Sequence, residues 1–159
     1  MSYKKTALII MDGWGMGEEN NKNAIHLANT PFFDKLIKEY PHTFLNASGE
    51  AVGLPSGQMG NSEIGHTTIG AGSPIDTDLV VIEKSIRDNS FFTNESFLRL
   101  INHVKQHENA CIHMIGLLSD GGVHSHNSHV YAFLKMAKDQ GITGDRVVLH
   151  IFTDGRDVS

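Results

Sequence analysis

The sequence predicts an α/β fold built from parallel-sheet units, because short apolar runs alternate with segments of helical periodicity. The apolar runs are residues 6–11 (TALIIM), 110–118 and 147–152. Runs of this length without polar alternation are typical of strands buried on both faces of a parallel sheet. The 159 residues, 40% of them hydrophobic, suffice for one domain or for pieces of two.

The first of these runs, residues 6–11, is expected to form a buried strand that ends at Asp12. A helix is predicted next, in TPFFDKLIKEYP, where Thr30 suits the cap position and Pro31 the first helical position. The apolar residues of this segment recur at helical spacing: Phe33, Leu36, Ile37 and Tyr40. We therefore expect a strand followed by an amphipathic helix.

A glycine-rich stretch, residues 49–72, separates this part from the rest of the chain. Glycine and proline become scarcer after Ser73 and Pro74, which we take as the boundary between two folding units. Beyond it, Asn94 is expected to open a second amphipathic helix. Its apolar face consists of Phe97, Leu100, Ile101 and Val104.

The last third of the chain predicts one strand, helix, strand unit. Residues 110–118 and 147–152 are the strands, and the helical stripe between them stops at Gly141. Such a unit is expected to be parallel and right-handed, so the loops after both strands emerge at one sheet edge. These loops are SDGGVHSHNSH and TDGRD. We therefore expect His124 to face Arg156 and Asp157.

Composition and charge exclude several classes of function. The net charge is −5 and no cluster of lysine and arginine occurs, which argues against nucleic-acid binding. No apolar run reaches the roughly 18–20 residues that span a bilayer, and the amino-terminal run is too short for a secretory signal. We expect a cytoplasmic protein with no membrane partner. The single cysteine, Cys111, lies in an apolar run and is expected to be a buried structural thiol.

The segment SGQMGNSEIGH, residues 56–66, surrounds the hydroxyl of Ser62 with glycines. Spacing alone favours a turn or helix cap over a nucleophile, since no histidine lies at the spacing of a recognised hydrolase motif. Asp12 is equally open to two roles, a turn cap before glycine and an oxygen ligand of a divalent ion. The glycines of MDGWGMGEE do not predict a dinucleotide site, because Glu18 stands where the third glycine belongs.

The two loops of the last third hold the other candidate residues. HSHNSH, with His124, is open to three interpretations: a metal cluster, a phosphate-binding loop or a solvated loop. The glycines before it favour an anion over a metal. In TDGRD, Arg156 can grip a carboxylate or phosphate, and Asp154 or Asp157 can handle a hydroxyl proton. A surface salt bridge is the plain alternative.

Five motifs, LIIMDGWG, GLPSGQMGNSEIGH, IGAG, GLLSDGGVHSH and DGRDV, together resemble the amino-terminal part of the cofactor-independent phosphoglycerate mutases, members of the alkaline phosphatase superfamily. The resemblance covers nearly the whole chain in order. One departure is SPIDTDLVVIEKS after Gly72, where many members carry an arginine followed by an aromatic residue and glutamine. The resemblance implies that residues 1 to about 75 belong to a phosphatase-like domain and residues 76–159 to the first part of an inserted transferase domain.

The resemblance also implies a reaction, the interconversion of 3-phosphoglycerate and 2-phosphoglycerate without bisphosphoglycerate. Ser62 would be the nucleophile that forms a phosphoserine, and Asp12 and Ser62 would bind one of two manganese ions. His124, Arg156 and Asp157 would hold the phosphoglycerate, with Asp157 also transferring its hydroxyl proton.

Family members are roughly three times the length of this chain on typical domain sizes. We therefore expect the chain alone to be inactive, the full-length enzyme to be a monomer, and the apolar faces of residues 1 to about 75 to remain partly uncovered. The alternatives are a non-catalytic fragment or phosphate-binding module, or a metal-dependent phosphatase of the same superfamily. The SDGGVHSH and DGRD loops favour the mutase.

Overall fold

Residues 5–159, which the structure describes, form six α-helices and one two-stranded parallel sheet in this computed structural model. The α-helices are α1 (Ala24–Leu27), α2 (Pro31–Glu39), α3 (Ser62–Ala71), α4 (Asp78–Arg87), α5 (Glu95–Gln106) and α6 (Asn127–Asp139). The strands are β1 (Ile112–Leu118) and β2 (Val147–Thr153). The predicted α/β class is confirmed. The longest described helix, α6, has 13 residues, and none in this part of the chain is long and apolar enough to cross a membrane.

The two strands and α6 form the predicted strand, helix, strand unit. β1 pairs with β2 in parallel, from Ile112 opposite Val147 to Leu118 opposite Thr153. Gly141 follows α6 with a φ of +82°, a left-handed conformation that glycine adopts without steric cost. Because the strands are parallel and in step, the loops after both of them begin at the same sheet edge.

The hydrophobic core lies between the sheet and the helices of the second half. Its largest fully buried side chains are Ile101 and Val104 of α5 and Met136 of α6. Asn94 starts α5 as predicted, since its side chain accepts hydrogen bonds from the backbone N–H groups of Ser96 and Phe97. The remaining buried members of the core are Phe91, Ile112, Ala132, Phe133, Ala137 and Ile142.

Two predictions of burial are wrong. Residues 6–11 form no strand, and Leu8 and Ile9 are 75% and 82% exposed. A strand needs a neighbour for its backbone hydrogen bonds, and β1 and β2 pair only with each other in the described part of the chain. Cys111 is exposed as well. Successive side chains along a strand point to opposite faces of the sheet. Cys111, which directly precedes β1, therefore points to the same exposed face as His113 and Ile115, whereas Ile112 points to the buried face.

Gly53 joins the glycine-rich stretch to the start of α4. Its φ is +81°, and its carbonyl accepts a hydrogen bond of 2.9 Å from the backbone N–H of Thr77. A Cβ atom at this position would lie 1.9 Å from the carbonyl oxygen of Ile75. Only glycine therefore fits at position 53, where the chain passes directly against the backbone of Ile75, without moving that backbone. The flanking side chains of Val52 and Leu54 are buried.

Candidate functional site

Asp12 and Ser62, 50 residues apart in the chain, lie in direct contact. Asp12 stands in a turn in which the backbone N–H of Trp14 donates to the carbonyl of Met11 over 3.0 Å. Ser62 is the first residue of α3, and its hydroxyl donates a hydrogen bond to the Asp12 carboxylate. Both residues are exposed. The structure therefore places a hydroxyl and a carboxylate together where a ligand can reach both.

The helix cap beside Ser62 is a different residue. The Asn61 side chain accepts from the backbone N–H of Ile64 over 3.0 Å, so Asn61 is the cap of α3. Glu63 lies in the first helical turn. Because Asn61 satisfies the helix end, the Ser62 hydroxyl is not used for capping and is available for chemistry.

His66 is a neighbour of Ser62 that the sequence reasoning missed. Its Nδ1 lies 2.8 Å from the Ser62 carbonyl oxygen and 3.4 Å from the Ser62 hydroxyl oxygen. A carbonyl can only accept, so in this contact Nδ1 carries the proton and cannot take the hydroxyl proton. Asp12 is therefore the acceptor for Ser62. The signal for His66 was its spacing of four residues on a helix that begins at Ser62.

Gly60 explains part of the glycine content around Ser62. A Cβ atom on Gly60 would lie 1.7 Å from the carbonyl oxygen of Ala47. The chain thus passes directly against Ala47 two residues before the candidate nucleophile, and no side chain has room there. Gly65, in contrast, has open space around its Cβ position. The segment therefore needs glycine at the approach to α3 but not throughout.

The second group of candidate residues meets at the carboxyl edge of the sheet. His124 Nε2 lies 3.5 Å from Asp157 Oδ2, which confirms the predicted meeting of the two loops. Arg156 is exposed, and its guanidinium forms no hydrogen bond or ion pair within residues 5–159. An anion arriving at this edge would meet an imidazole and an uncommitted guanidinium.

Asp154 organises the loop that carries Arg156 and Asp157. Its Oδ1 accepts hydrogen bonds from the backbone N–H groups of the next three residues, Gly155, Arg156 and Asp157, at 2.7, 3.0 and 3.1 Å. Its Oδ2 accepts from the Ser119 hydroxyl at 2.6 Å. The Ser119 hydroxyl first, and then these N–H groups, hold the pKa of Asp154 well below its usual range. Asp154 therefore stays ionised, and its two carboxylate oxygens accept from Ser119 and from the backbone of its own loop.

The other histidines of HSHNSH have separate roles. His126 caps α6, its Nδ1 accepting from the backbone N–H of Ser128 over 3.2 Å. Burial lowers the pKa of His129, opposed by the nearby Glu83 and assisted by His126. Within residues 5–159, no group of three or more histidine, cysteine, aspartate or glutamate side chains is arranged to hold a metal ion. The loop does not form a histidine metal cluster in the described part of the chain.

Comparison with known proteins gives a consistent match. Residues 82–159 match the family described as BPG-independent PGAM N-terminus. The 2,3-bisphosphoglycerate-independent phosphoglycerate mutase of Clostridioides difficile (strain 630) is 53% identical over 157 residues. The chain belongs to this mutase family. The mutases of Staphylococcus aureus (strain Mu50 / ATCC 700699) and Aster yellows witches'-broom phytoplasma (strain AYWB) are 52% and 51% identical over 158 and 157 residues.

These matches cover 99% of this chain but only 30–31% of each of the three relatives. The chain thus corresponds to an amino-terminal portion of a 2,3-bisphosphoglycerate-independent phosphoglycerate mutase. This portion contains both the Asp12–Ser62 pair and the His124–Asp157 pair. No hydrogen bond or ion pair joins the two pairs among the described residues.

Proposed function

We propose that the full-length protein interconverts 3-phosphoglycerate and 2-phosphoglycerate through a phosphoserine at Ser62. The observation that carries this proposal is the hydrogen bond from the Ser62 hydroxyl to the Asp12 carboxylate, formed by two residues distant in sequence. The names of the relatives support the substrate, and they state independence from 2,3-bisphosphoglycerate. A phosphoryl group held on the protein would make an external phosphoryl donor unnecessary.

In the proposed first step, Ser62 Oγ forms a bond to the phosphorus of bound phosphoglycerate, and the ester bond from phosphorus to the glycerate oxygen breaks. The Ser62 proton passes to the Asp12 carboxylate, to which the hydroxyl already donates, and returns to Ser62 Oγ when the phosphoserine is cleaved in the second step. Asp157 gives a proton to the departing glycerate oxygen. In the second step Asp157 takes the proton of the other glycerate hydroxyl, which attacks the phosphoserine and restores Ser62. The same carboxyl group serves both directions.

Two further residues are proposed to hold the substrate. The Arg156 guanidinium offers paired N–H donors for a carboxylate or phosphate, and the His124 imidazole lies beside Asp157 at 3.5 Å. We further propose that residues 1 to about 75 are part of a phosphatase-like domain and residues 76–159 the first part of a transferase domain. The confinement of the main core to residues between Phe91 and Ile142 supports this division.

The donor set of the Asp12–Ser62 pair fits a divalent cation in part. Carboxylate and hydroxyl oxygens are the ligand types that manganese accepts, and both lie on one exposed surface. Manganese, of which we propose two ions in the full-length protein, would lower the pKa of the Ser62 hydroxyl. Two ligands are too few for tight binding, so further ligands would have to come from elsewhere in the protein.

Replacement of Ser62 by alanine in the full-length protein tests the proposal. We expect the conversion of 3-phosphoglycerate to 2-phosphoglycerate, assayed with manganese and without bisphosphoglycerate, to fall by about 10³-fold or more. The unfolding midpoint should stay close to that of the wild type, because an exposed hydroxyl is removed. Ser56→Ala, an exposed serine in the same segment, is the matched control. Wild-type turnover by Ser62→Ala would refute the role of Ser62.

A further inference from the structure

The buried hydroxyl of Ser119 connects the two loops at the carboxyl edge of the sheet. Ser119 is 5% exposed, and its hydroxyl donates to Asp154 Oδ2 at 2.6 Å. The same hydroxyl oxygen accepts from the backbone N–H of Gly121 at 3.2 Å. The hydroxyl therefore donates its one hydrogen to the second loop and accepts one hydrogen bond from the first.

Ser119 also fixes the far end of its own loop. Its carbonyl accepts a hydrogen bond of 2.8 Å from the backbone N–H of Asn127, the first residue of α6. The loop from Ser119 to Asn127 is thus closed at its base, and His124 lies within it. The position of His124 relative to the sheet depends on this closure.

The other loop depends on Asp154 in the same way. One carboxylate oxygen accepts three consecutive backbone N–H groups, and the other accepts the Ser119 hydroxyl. Four hydrogen bonds accepted by the two oxygens favour the ionised form, in agreement with the lowered pKa of Asp154. The backbone N–H groups so held include those of Arg156 and Asp157, so the directions of these two side chains follow from Asp154.

The two loops approach each other closely at Gly121, where a side chain would have little room. A Cβ atom on Gly121 would lie 3.1 Å from Val158 Cγ1, 3.4 Å from Ser119 Oγ and 3.8 Å from Asp157 Cβ. Gly121 of the first loop therefore lies close to Val158 and Asp157 of the second. A displacement of either loop would change the distance between His124 and Asp157.

We propose that Ser119 and Asp154 are positioning residues of the phosphoglycerate site, which set the geometry of His124, Arg156 and Asp157 before substrate arrives. The inference rests on the proposed function for the identity of the substrate. Neither residue touches the substrate in this arrangement. A side chain misplaced by about 1 Å can reduce rate about 100-fold, so a preset geometry is of measurable value.

The test uses Ser119→Ala, Ser119→Thr and Asp154→Asn in two settings. In the 159-residue chain, amide hydrogen exchange is measured by NMR at Gly155, Arg156 and Asp157. We expect Ser119→Ala and Asp154→Asn to accelerate exchange at these amides by about 10-fold or more, with β1 and β2 amides unchanged. Ser119→Thr retains the hydroxyl and should restore wild-type exchange. Asp145→Asn, an exposed aspartate before β2, is the control.

In the full-length protein, Ser119→Ala and Asp154→Asn should lower kcat/KM for 3-phosphoglycerate by about 10- to 100-fold, mainly through KM. Ser119→Thr should stay within about 3-fold of the wild type. Unchanged exchange and unchanged KM in both variants would overturn the positioning role while the mutase proposal stands. If the wild-type full-length protein had no mutase activity, the proposed function would fail. The exchange data would still decide whether Ser119 and Asp154 hold the two loops in place.

Discussion

Segment 6–11 and strand β1 are both short apolar runs, yet the side chains of the first lie in solvent and those on one face of the second contribute to the core. Leu8 and Ile9 are 75% and 82% exposed, whereas Ile112 of β1 is 2% exposed. β1 has a partner strand in β2 and helices that cover one face, and segment 6–11 has no paired strand in the described chain. Apolar composition alone therefore does not produce a buried strand; a neighbouring strand must satisfy its backbone.

The same contrast extends to the two regions on either side of the predicted boundary. In the amino-terminal region, residues 5–75, the buried hydrophobic side chains are Val52 and Leu54. The carboxyl-terminal region, residues 76–159, contains the main core with Ile101, Val104 and Met136. The expectation that the amino-terminal region remains partly uncovered is confirmed by its exposed apolar side chains. We infer that stability is concentrated in the carboxyl-terminal region.

The largest test of this contrast is truncation of one isoleucine in each region. Ile101→Ala should lower the free energy of unfolding by about 2–5 kcal/mol, because it leaves a cavity at a fully buried site. Ile9→Ala should change it by less than about 0.5 kcal/mol. Urea unfolding followed by far-UV circular dichroism measures both. Fluorescence of the single tryptophan, Trp14, packed edge-on against Phe33, follows the amino-terminal region separately. Equal losses in the two variants would contradict the contrast.

Gly53→Ala tests the connection between the two regions. The new Cβ would overlap the carbonyl of Ile75, which lies two residues before Thr77, the hydrogen-bond partner of Gly53. Gly57→Ala is a matched control, because Gly57 has a φ of +79° but open space around its Cβ position. We expect Gly53→Ala to be less stable than Gly57→Ala by about 1–3 kcal/mol. Equal unfolding midpoints in urea would mean that the crossing at Gly53 adjusts freely.

Arg146 supports the carboxyl-terminal region from outside its apolar core. Its guanidinium donates to the carbonyl oxygens of Val104, His107 and Ala110, which lie at the end of α5 and just before β1. Arg146→Ala should cost about 1–3 kcal/mol, since the part-buried carbonyls of Val104 and Ala110 lose a charged donor. Arg99→Ala, an exposed arginine of α5, should cost less than about 0.5 kcal/mol. Thermal unfolding of both variants separates a specific contact from a general loss of charge.

The smallest expected effect is a dependence of folding stability on pH that arises from the His129 side chain. Burial lowers its pKa in the folded state, so the unfolded chain binds a proton more readily. His129 therefore contributes full stability above its unfolded pKa of about 6.5 and loses it as pH falls toward the lower folded value. His129→Gln should flatten this decline in the urea midpoint. Glu83 opposes the shift, so Glu83→Gln should steepen it. A decline unaffected by either change would exclude His129 as its source.

The strand, helix, strand unit was predictable because its signals are local. The apolar runs, the helical stripe and Gly141 each lie within one element, and parallel pairing follows from the connection. The meeting of His124 and Asp157 followed from the same topology. Monomeric state, cytoplasmic location, right-handed connection and the domain boundary stay predictions.

The contacts that local sequence patterns alone do not predict join distant segments. Asp12 and Ser62 are separated by 50 residues, and no spacing rule links them without a family resemblance. Ser119 and Asp154 are separated by 35 residues, and Ser119 is an ordinary strand-end serine in sequence. The predicted strand at 6–11 failed for the related reason that a strand depends on a partner that local composition does not reveal.

The alignment of β1 with β2 has a consequence for anyone who wishes to transplant this site. Leu118 is opposite Thr153 in the last pair, so Ser119 and Asp154 are the residues that directly follow the two strands, and they meet at the same level. A slip of one residue would turn one of them to the opposite face of the sheet. Insertions in the connection through α6 would leave their meeting intact, whereas a single insertion inside either strand would separate them. A graft must therefore reproduce the pairing register of the two strands as well as the loop sequences.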